Sequence, residues 1–138
     1  MSVVDPVVAS DQILAELAAI ANLKEYDGDI PQDDPPPTWS ATDPRVKAYA
    51  VLYAAPGRVT SSRLCDTPAD TTLSFQVTCA GGDRRQALWA VREVRARLTG
   101  KEIAGGTIIE PFDPGPVRRD DDFTPSRHYV PLLFRIDA

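Results

Sequence analysis

Apolar and polar positions along this chain repeat with two different periods, and each change of period marks an element boundary. From Val7 onward the spacing is helical. Val7, Leu14, Leu17, Ala18 and Ala21 fall on one face, widened by Ile13 and Ile20, while Asp11, Gln12 and Glu16 face away. Asp5-Pro6 opens this helix, because an aspartate at the N-cap accepts from free N–H groups and a proline is preset at the first helical position. The pattern runs out near Asn22. Leu23 to Tyr26 has the length of a short strand, and Asp27-Gly28-Asp29 is a turn. Residues 31–45 carry Pro35-Pro36-Pro37, which favour extended polyproline geometry and cannot donate to a ladder, so this stretch is predicted to project as a loop.

From Val46 the period drops to two. Val46, Ala48, Ala50, Leu52 and Ala54 alternate with Lys47, Tyr49, Val51 and Tyr53, which predicts a strand broken by Pro56-Gly57. Residues 58–69 read as a turn-rich connection. Leu73, Phe75, Val77 and Cys79 then alternate with Thr72, Ser74, Gln76 and Thr78, the pattern of a sheet with one covered face. Gly81-Gly82 closes that strand. Asp83, with Gln86 three residues on, opens a second helix that Gly100 ends. Its core stripe is Ala87, Val91, Val94 and Leu98, broadened by Leu88 and Ala90. Residues 107–110 suit a short strand, and 111–125 a second loop rich in proline and aspartate. His128, Val130, Leu132, Phe134 and Ile136 share one face of a last strand, in which Pro131 marks a sheet edge or a bulge.

The order helix, strands, helix, strands predicts an α+β fold: a mixed, mostly antiparallel sheet of about four to five strands against two helices, with proline-rich loops. The core should comprise Leu14, Leu17, Leu73, Phe75, Val77, Val91, Val94, Leu98, Leu132 and Phe134. At 138 residues the chain is expected to form one domain, and 43% hydrophobic with 25% charged residues is an ordinary globular balance. No apolar run reaches the roughly 18 residues of a membrane span, and the first residues lack a signal-peptide pattern, so a cytosolic setting is expected. Cys65 and Cys79 form no C-x-x-C pair and are expected as reduced thiols. A net charge of −5 argues against tight capture of nucleic acid.

Catalytic chemistry finds little footing. Nucleophilic catalysis needs a base, and the single imidazole, His128, sits on the apolar register of a terminal strand, where histidine is far more often packed than reactive. Asp120-Asp121-Asp122 lacks the spacing and glycine of a calcium loop and reads as a solvated acidic turn. Gly81-Gly82 is a strand-to-helix turn without the rest of a phosphate-binding motif. No metal, no cofactor and no enzymatic role are assigned.

One feature of the second helix is unexplained by a core. Trp89 and Ala96 lie nearly opposite its apolar stripe, beside a strip of Arg84, Arg85, Arg92 and Arg95. Tryptophan and arginine are enriched at interface hot spots, so Trp89, Arg85, Arg92 and Ala96 are candidates for a subunit contact, as is Trp39 in the first proline-rich loop. The other reading is that the first helix or that loop folds over Trp89 within one chain, with Trp39 anchoring the loop; both readings stand at this stage.

The Asp5-Pro6 helix, Tyr49-Ala50-Val51-Leu52-Tyr53, the run Leu73-Ser74-Phe75-Gln76-Val77-Thr78-Cys79-Ala80-Gly81-Gly82, the following Arg84-Arg85-Gln86-Ala87-Leu88-Trp89 and the closing His128-Tyr129-Val130-Pro131-Leu132 together resemble the tail terminator proteins of long-tailed phages, especially those of actinobacteria. The resemblance spans most of the chain. It implies a structural virion protein that forms a ring, of six copies, on the head-proximal end of the tail tube. The ring stops tube polymerisation and joins the tail to the neck, with DNA passing through its lumen without specific binding. Implied partners are other copies of the chain, the tail tube protein and a head-completion or neck protein, with no membrane. A head-completion connector is the second expectation, and a small cytosolic ligand-binding protein the third. The long arm from Pro31 to Pro44 and the aspartate-rich loop at 119–122 depart from the family pattern.

Overall fold

Asp5 caps the first helix through its carboxylate, which accepts the backbone N–H groups of Val7 and Val8 at 2.9 and 3.4 Å. The computed structural model describes residues 5–55, 58–62, 67–122 and 126–137; Cys65, the Pro56-Gly57 break and the end of the second loop lie outside them. Helix α1 covers Pro6–Ala18 and stops earlier than the pattern predicts, because the chain then turns and Asn22 takes a left-handed φ of 66°. Its buried positions are Ala9, Ile13 and Leu17, with Leu14 and Ile20 partly buried. Val7, Ala18 and Ala21 are exposed, contrary to the predicted face. Polar contacts accompany this rotation. Glu16 bonds Arg97 and Lys101 at 2.7 and 2.9 Å, and the Gln12 side-chain carbonyl accepts the Ala104 N–H at 3.1 Å, so two residues expected to face away lie against neighbouring elements.

Among the described residues eight strands follow where four to five were expected. In chain order they are β1 (Lys24–Asp27), β2 (Tyr49–Ala54), β3 (Arg58–Ser62), β4 (Thr67–Gly81), β5 (Glu102–Ile103), β6 (Gly106–Ile109), β7 (Arg118–Asp120) and β8 (Arg127–Asp137). One sheet runs β1-β2-β4-β8-β6-β5, with β3 added to β4 and β7 added to β8. Only β1 and β2 pair in parallel, so the sheet is mixed and mostly antiparallel, as the sequence predicts.

Of the extra strands, β3 and β7 come from segments read as loops, and β5 is a two-residue strand after α2. Within the connection at 58–69, β3 pairs β4 from Arg58–Thr72 to Ser62–Thr67. Ala54 pairs Phe75 and Arg58 pairs Thr72, so one side advances four residues against three, and β3 prolongs β2 after a one-residue displacement. In the second loop, β7 pairs β8 from Arg118–Tyr129 to Asp120–Arg127. Pro131 lies between the stretches of β8 that meet β7 and β6, where only β4 is paired, and the register with β4 is unbroken. The strand is central, yet at its proline it has a local edge, which is where a residue without an N–H is tolerated.

Helix α2 (Arg84–Leu98) is capped by Asp83, whose carboxylate accepts the Gln86 N–H at 2.8 Å, and the chain leaves it through Gly100 at φ 82°. Ala87, Ala90, Val91, Val94 and Leu98 are buried as predicted, whereas Leu88 is 43% exposed. Both helices cover one sheet face. Leu17, Leu73, Phe75, Val77, Val91, Val94, Leu98, Leu132 and Phe134 share the main core, with Leu14 packed against it. Phe75 and Phe134 stack at 5.3 Å between centroids, a geometry worth about 0.5–1.5 kcal/mol beyond area burial. Cys79 is a buried free thiol in the same core.

The second face is not bare, as the alternation implied. Tyr26, Tyr49, Val51 and Ala80 form a smaller cluster there, joined by Ile30, Val46 and Tyr129. The proline-rich loop is tied over this end of the sheet by Tyr26 Oη donating to the Asp34 carbonyl at 2.9 Å and by the Lys47 N–H donating to the Pro37 carbonyl at 2.7 Å.

The Gly81-Gly82 pair is required by space. A Cβ on Gly82 would lie 2.7 Å from Arg45 Cβ and 2.9 Å from the Val46 carbonyl oxygen, which itself accepts the Gly82 N–H at 3.1 Å. Gly82→Ala is therefore expected to lower stability by about 2 kcal/mol, read from denaturant unfolding, because the atoms in the way include backbone that cannot swing aside.

Candidate tryptophan cleft and the surfaces around it

Trp39 and Trp89 come from segments fifty residues apart in sequence, and the fold brings them to one cleft. Trp39 sits on the loop, whose arms are zipped by the Thr38–Val46 bridge and by the Trp39 N–H donating to the Arg45 carbonyl at 3.2 Å. Arg45 is held in turn by Asp43 and Asp83, so the loop is pinned to the start of α2. Trp89 leaves α2 toward the end of α1. With Asn22, Lys47 and Gln86 the two indoles line a hollow of about 350 Å³. The Lys47 ammonium stands 5.3 Å from the Trp39 ring centroid, within cation–π range. A second hollow of about 410 Å³ shares Asn22 and Trp89 and continues past Glu93, Ala96 and Arg97 along the seam between the helices. The first hollow offers flat aromatic area, two amides and one cation, a chemistry of binding.

The two tryptophans differ in depth. Trp39 is 48% exposed, whereas Trp89 is partly buried and packs against the main core. Its indole is thus shared between its own fold and the cleft, and it does not stand clear in solvent as the helical wheel suggests. Ala96 lines the continuing hollow. Arg85 and Arg92 are exposed and line neither hollow; Arg92 pairs with Glu93 at 3.1 Å. Arg95 is taken up by Glu110 in two hydrogen bonds of 2.7 and 2.8 Å, so half of the predicted basic strip, Arg92 and Arg95, is engaged in internal pairs.

The cluster on the second sheet face carries the most perturbed tyrosine. Burial, with the nearby Asp34 carboxylate, pushes Tyr26 up to about 12. Burial also raises Tyr49, opposed by the Arg127 guanidinium that donates to its hydroxyl. Arg127 pairs with Asp120 at 3.3 Å, so the first member of the predicted acidic turn is a structural partner, while Asp121 pairs with Arg119 at 2.7 Å. His128 is half-buried opposite Gly81, with its Nδ1 buried and unbonded. Among the described residues no three His, Cys, Asp or Glu side chains converge in a way that holds a metal.

Sequence reasoning passed over Phe112. It is 64% exposed and borders a hollow of about 340 Å³ on the open part of the second sheet face, with Tyr53, Gln76 and Leu133. The available signal was an aromatic between Pro111 and Pro114 in a loop that had no other reason to carry one.

Trp89→Ala should cost about 2 kcal/mol in chemical denaturation because its indole packs on the core, and Trp39→Ala should stay within about 0.5 kcal/mol. For Tyr26 the folded state favours the protonated phenol. Its stabilisation is fully present below the ordinary tyrosine pKa of about 10 and is lost as pH rises toward 12. Unfolding measured from pH 9 to 12 should show that decline, and Tyr26→Phe should make it shallower, the remainder coming from the other raised groups, Tyr49 and Cys79. No model of a known protein family matches the chain, and no curated protein matches its sequence.

Proposed function

We propose that this chain is a tail terminator: a ring-forming structural subunit, of six copies, that caps the head-proximal end of a long-tailed phage tail tube, ends its polymerisation and forms the joint to the neck. The reading supports a place in the virion, at the tail-neck junction, and assigns no enzymatic role. The single observation that carries it is the ordered resemblance of strand, glycine turn and Gln-Ala-Leu-Trp helix, Leu73 through Trp89.

The architecture is compatible with that work. Two helices brace one face of the sheet, the other face is open at one end, and exposed aromatics occupy two unlike surfaces. A ring built from heterologous contacts needs two different surfaces on every subunit. The net charge of −5 suits a channel through which DNA slides, since like charges avoid capture. No helix among the described residues is long and apolar enough to cross a membrane.

The test is the tail itself. In a phage whose copy of this gene carries an early stop codon, electron microscopy should show tubes well beyond normal length and detached from heads. Tubes of normal length that fail to join heads would replace this reading with that of a head-completion connector. Normal, joined tails would remove both.

A further inference from the structure

Phe112 is the most exposed aromatic side chain among the described residues, at 64%, and its loop is built to hold it there. Glu110 at the base is fastened by two hydrogen bonds from Arg95, Pro111 and Pro114 restrict the backbone on either side, and the Asp113 carboxylate accepts the Gly115 N–H at 2.8 Å. Asp113 is exposed and forms no direct ion pair among the described residues, although its charge is near enough to Arg95 to help raise that guanidinium. The result is a preorganised knob with an aromatic tip and an adjacent negative charge.

The cleft between Trp39 and Trp89 has the complementary character: two aromatic walls and the Lys47 ammonium, which has no ion-pair partner among the described residues. Knob and cleft cannot meet within one chain. Phe112 stands over the open sheet face beside Tyr53 and Ser74, where β2 ends and β4 has just entered the body. The cleft lies on the helix side, by Lys47 and Gln86, where β2 begins and β4 ends. The two are at opposite ends of the strands and on opposite faces of the sheet, a placement that a neighbouring copy satisfies and a single copy does not.

We propose that Phe112 of one copy enters the Trp39–Trp89 cleft of the next, with Asp113 set against Lys47, as the repeating head-to-tail contact of the assembly. The occupant is a second copy because both halves are present in every chain, opposite in charge and beyond each other's reach. Each subunit then offers one knob and one cleft, the condition for a heterologous contact that closes into a ring. This deepens the ring reading given under Proposed function and rests on it.

Complementary knockouts test the contact. Phe112→Asp removes the knob and Trp39→Asp the cleft, and both sites are exposed enough that the fold should survive, which circular dichroism checks. By analytical ultracentrifugation each variant alone should self-associate at least about thirty-fold more weakly than the unaltered chain, the loss expected of an interface hot spot. Mixed in equal amounts they should form a heterodimer and no larger species, since one intact knob and one intact cleft remain between them. Asp113→Lys and Lys47→Glu should each weaken assembly, and the double variant should recover to within about tenfold of the original. The proposal is overturned if either aromatic variant alone assembles like the unaltered chain, if the mixture stays monomeric while the unaltered chain assembles, or if the unaltered chain is monomeric at the highest concentration reached. Tail length in the stop-codon phage is read separately, so a failed contact leaves the terminator reading standing, and a failed terminator reading leaves the contact measurable.

Discussion

The pairing of β4 with β8 is the constraint from which the rest of the molecule follows. Its register runs without a break from Thr72–Asp137 to Gly81–His128 and joins the two longest strands. Because side chains alternate along a strand, this one register places Leu73, Phe75, Val77 and Cys79 beside Val130, Leu132, Phe134 and Ile136 on the same face, where α2 and α1 close over them. A slip of one residue would send that whole set to the open face. The other strands build outward from this pair: β2 and β3 on the outer edge of β4, β6 and β7 on the outer edge of β8, and then β1 on β2 and β5 on β6.

The same register disposes the other face. Tyr49, Val51 and Ala80 at one end find cover under Tyr26, Ile30 and the strapped proline-rich loop, while Tyr53, Gln76 and Leu133 at the other end remain open beside Phe112. One face is thus core along its length, and the opposite face is half core and half surface. The strap that covers the tyrosines also presents Trp39, because Arg45 and Val46 must approach within van der Waals contact of Gly82 where the chain turns from β4 into α2. A requirement for space at one glycine therefore helps to set the geometry of the tryptophan cleft.

The pattern of charge is consistent with a chain that keeps most of its ions for its own use. Glu16 is drawn below its ordinary value, chiefly by its hydrogen bond from Lys101 and further by Arg97, which ties α1 to the far end of α2. Arg95, Arg127 and Arg45 are likewise engaged by Glu110, Asp120 and Asp43. Exposed pairs of this kind contribute little stability individually. Lys47 and Asp113 are in no direct ion pair among the described residues, each is next to an exposed aromatic, and the contact proposed between copies unites them.

The amino-acid sequence by itself determined the α+β class, the mostly antiparallel sheet, both helix caps and nearly all of the main core. These depend on neighbours within a few residues: Asp5 and Asp83 reach N–H groups two or three positions away, and periods of 2 and 3.6 say which side chains share a face. It did not determine that residues 58–62 and 67–69 hold strand structure, since a polar stretch becomes strand only when a distant ladder supplies its hydrogen bonds. Nor did it rotate α1 to bury Ala9 instead of Ala18, a choice that goes with the packing of Ala9, Ile13 and Leu17 in the main core and that leaves Glu16 beside Arg97 and Lys101. The meeting of Trp39 with Trp89, and the separation of both from Phe112, were decided only by tertiary structure. Such surfaces are assembled across long sequence distances by packing, and no local period encodes which of them will face each other.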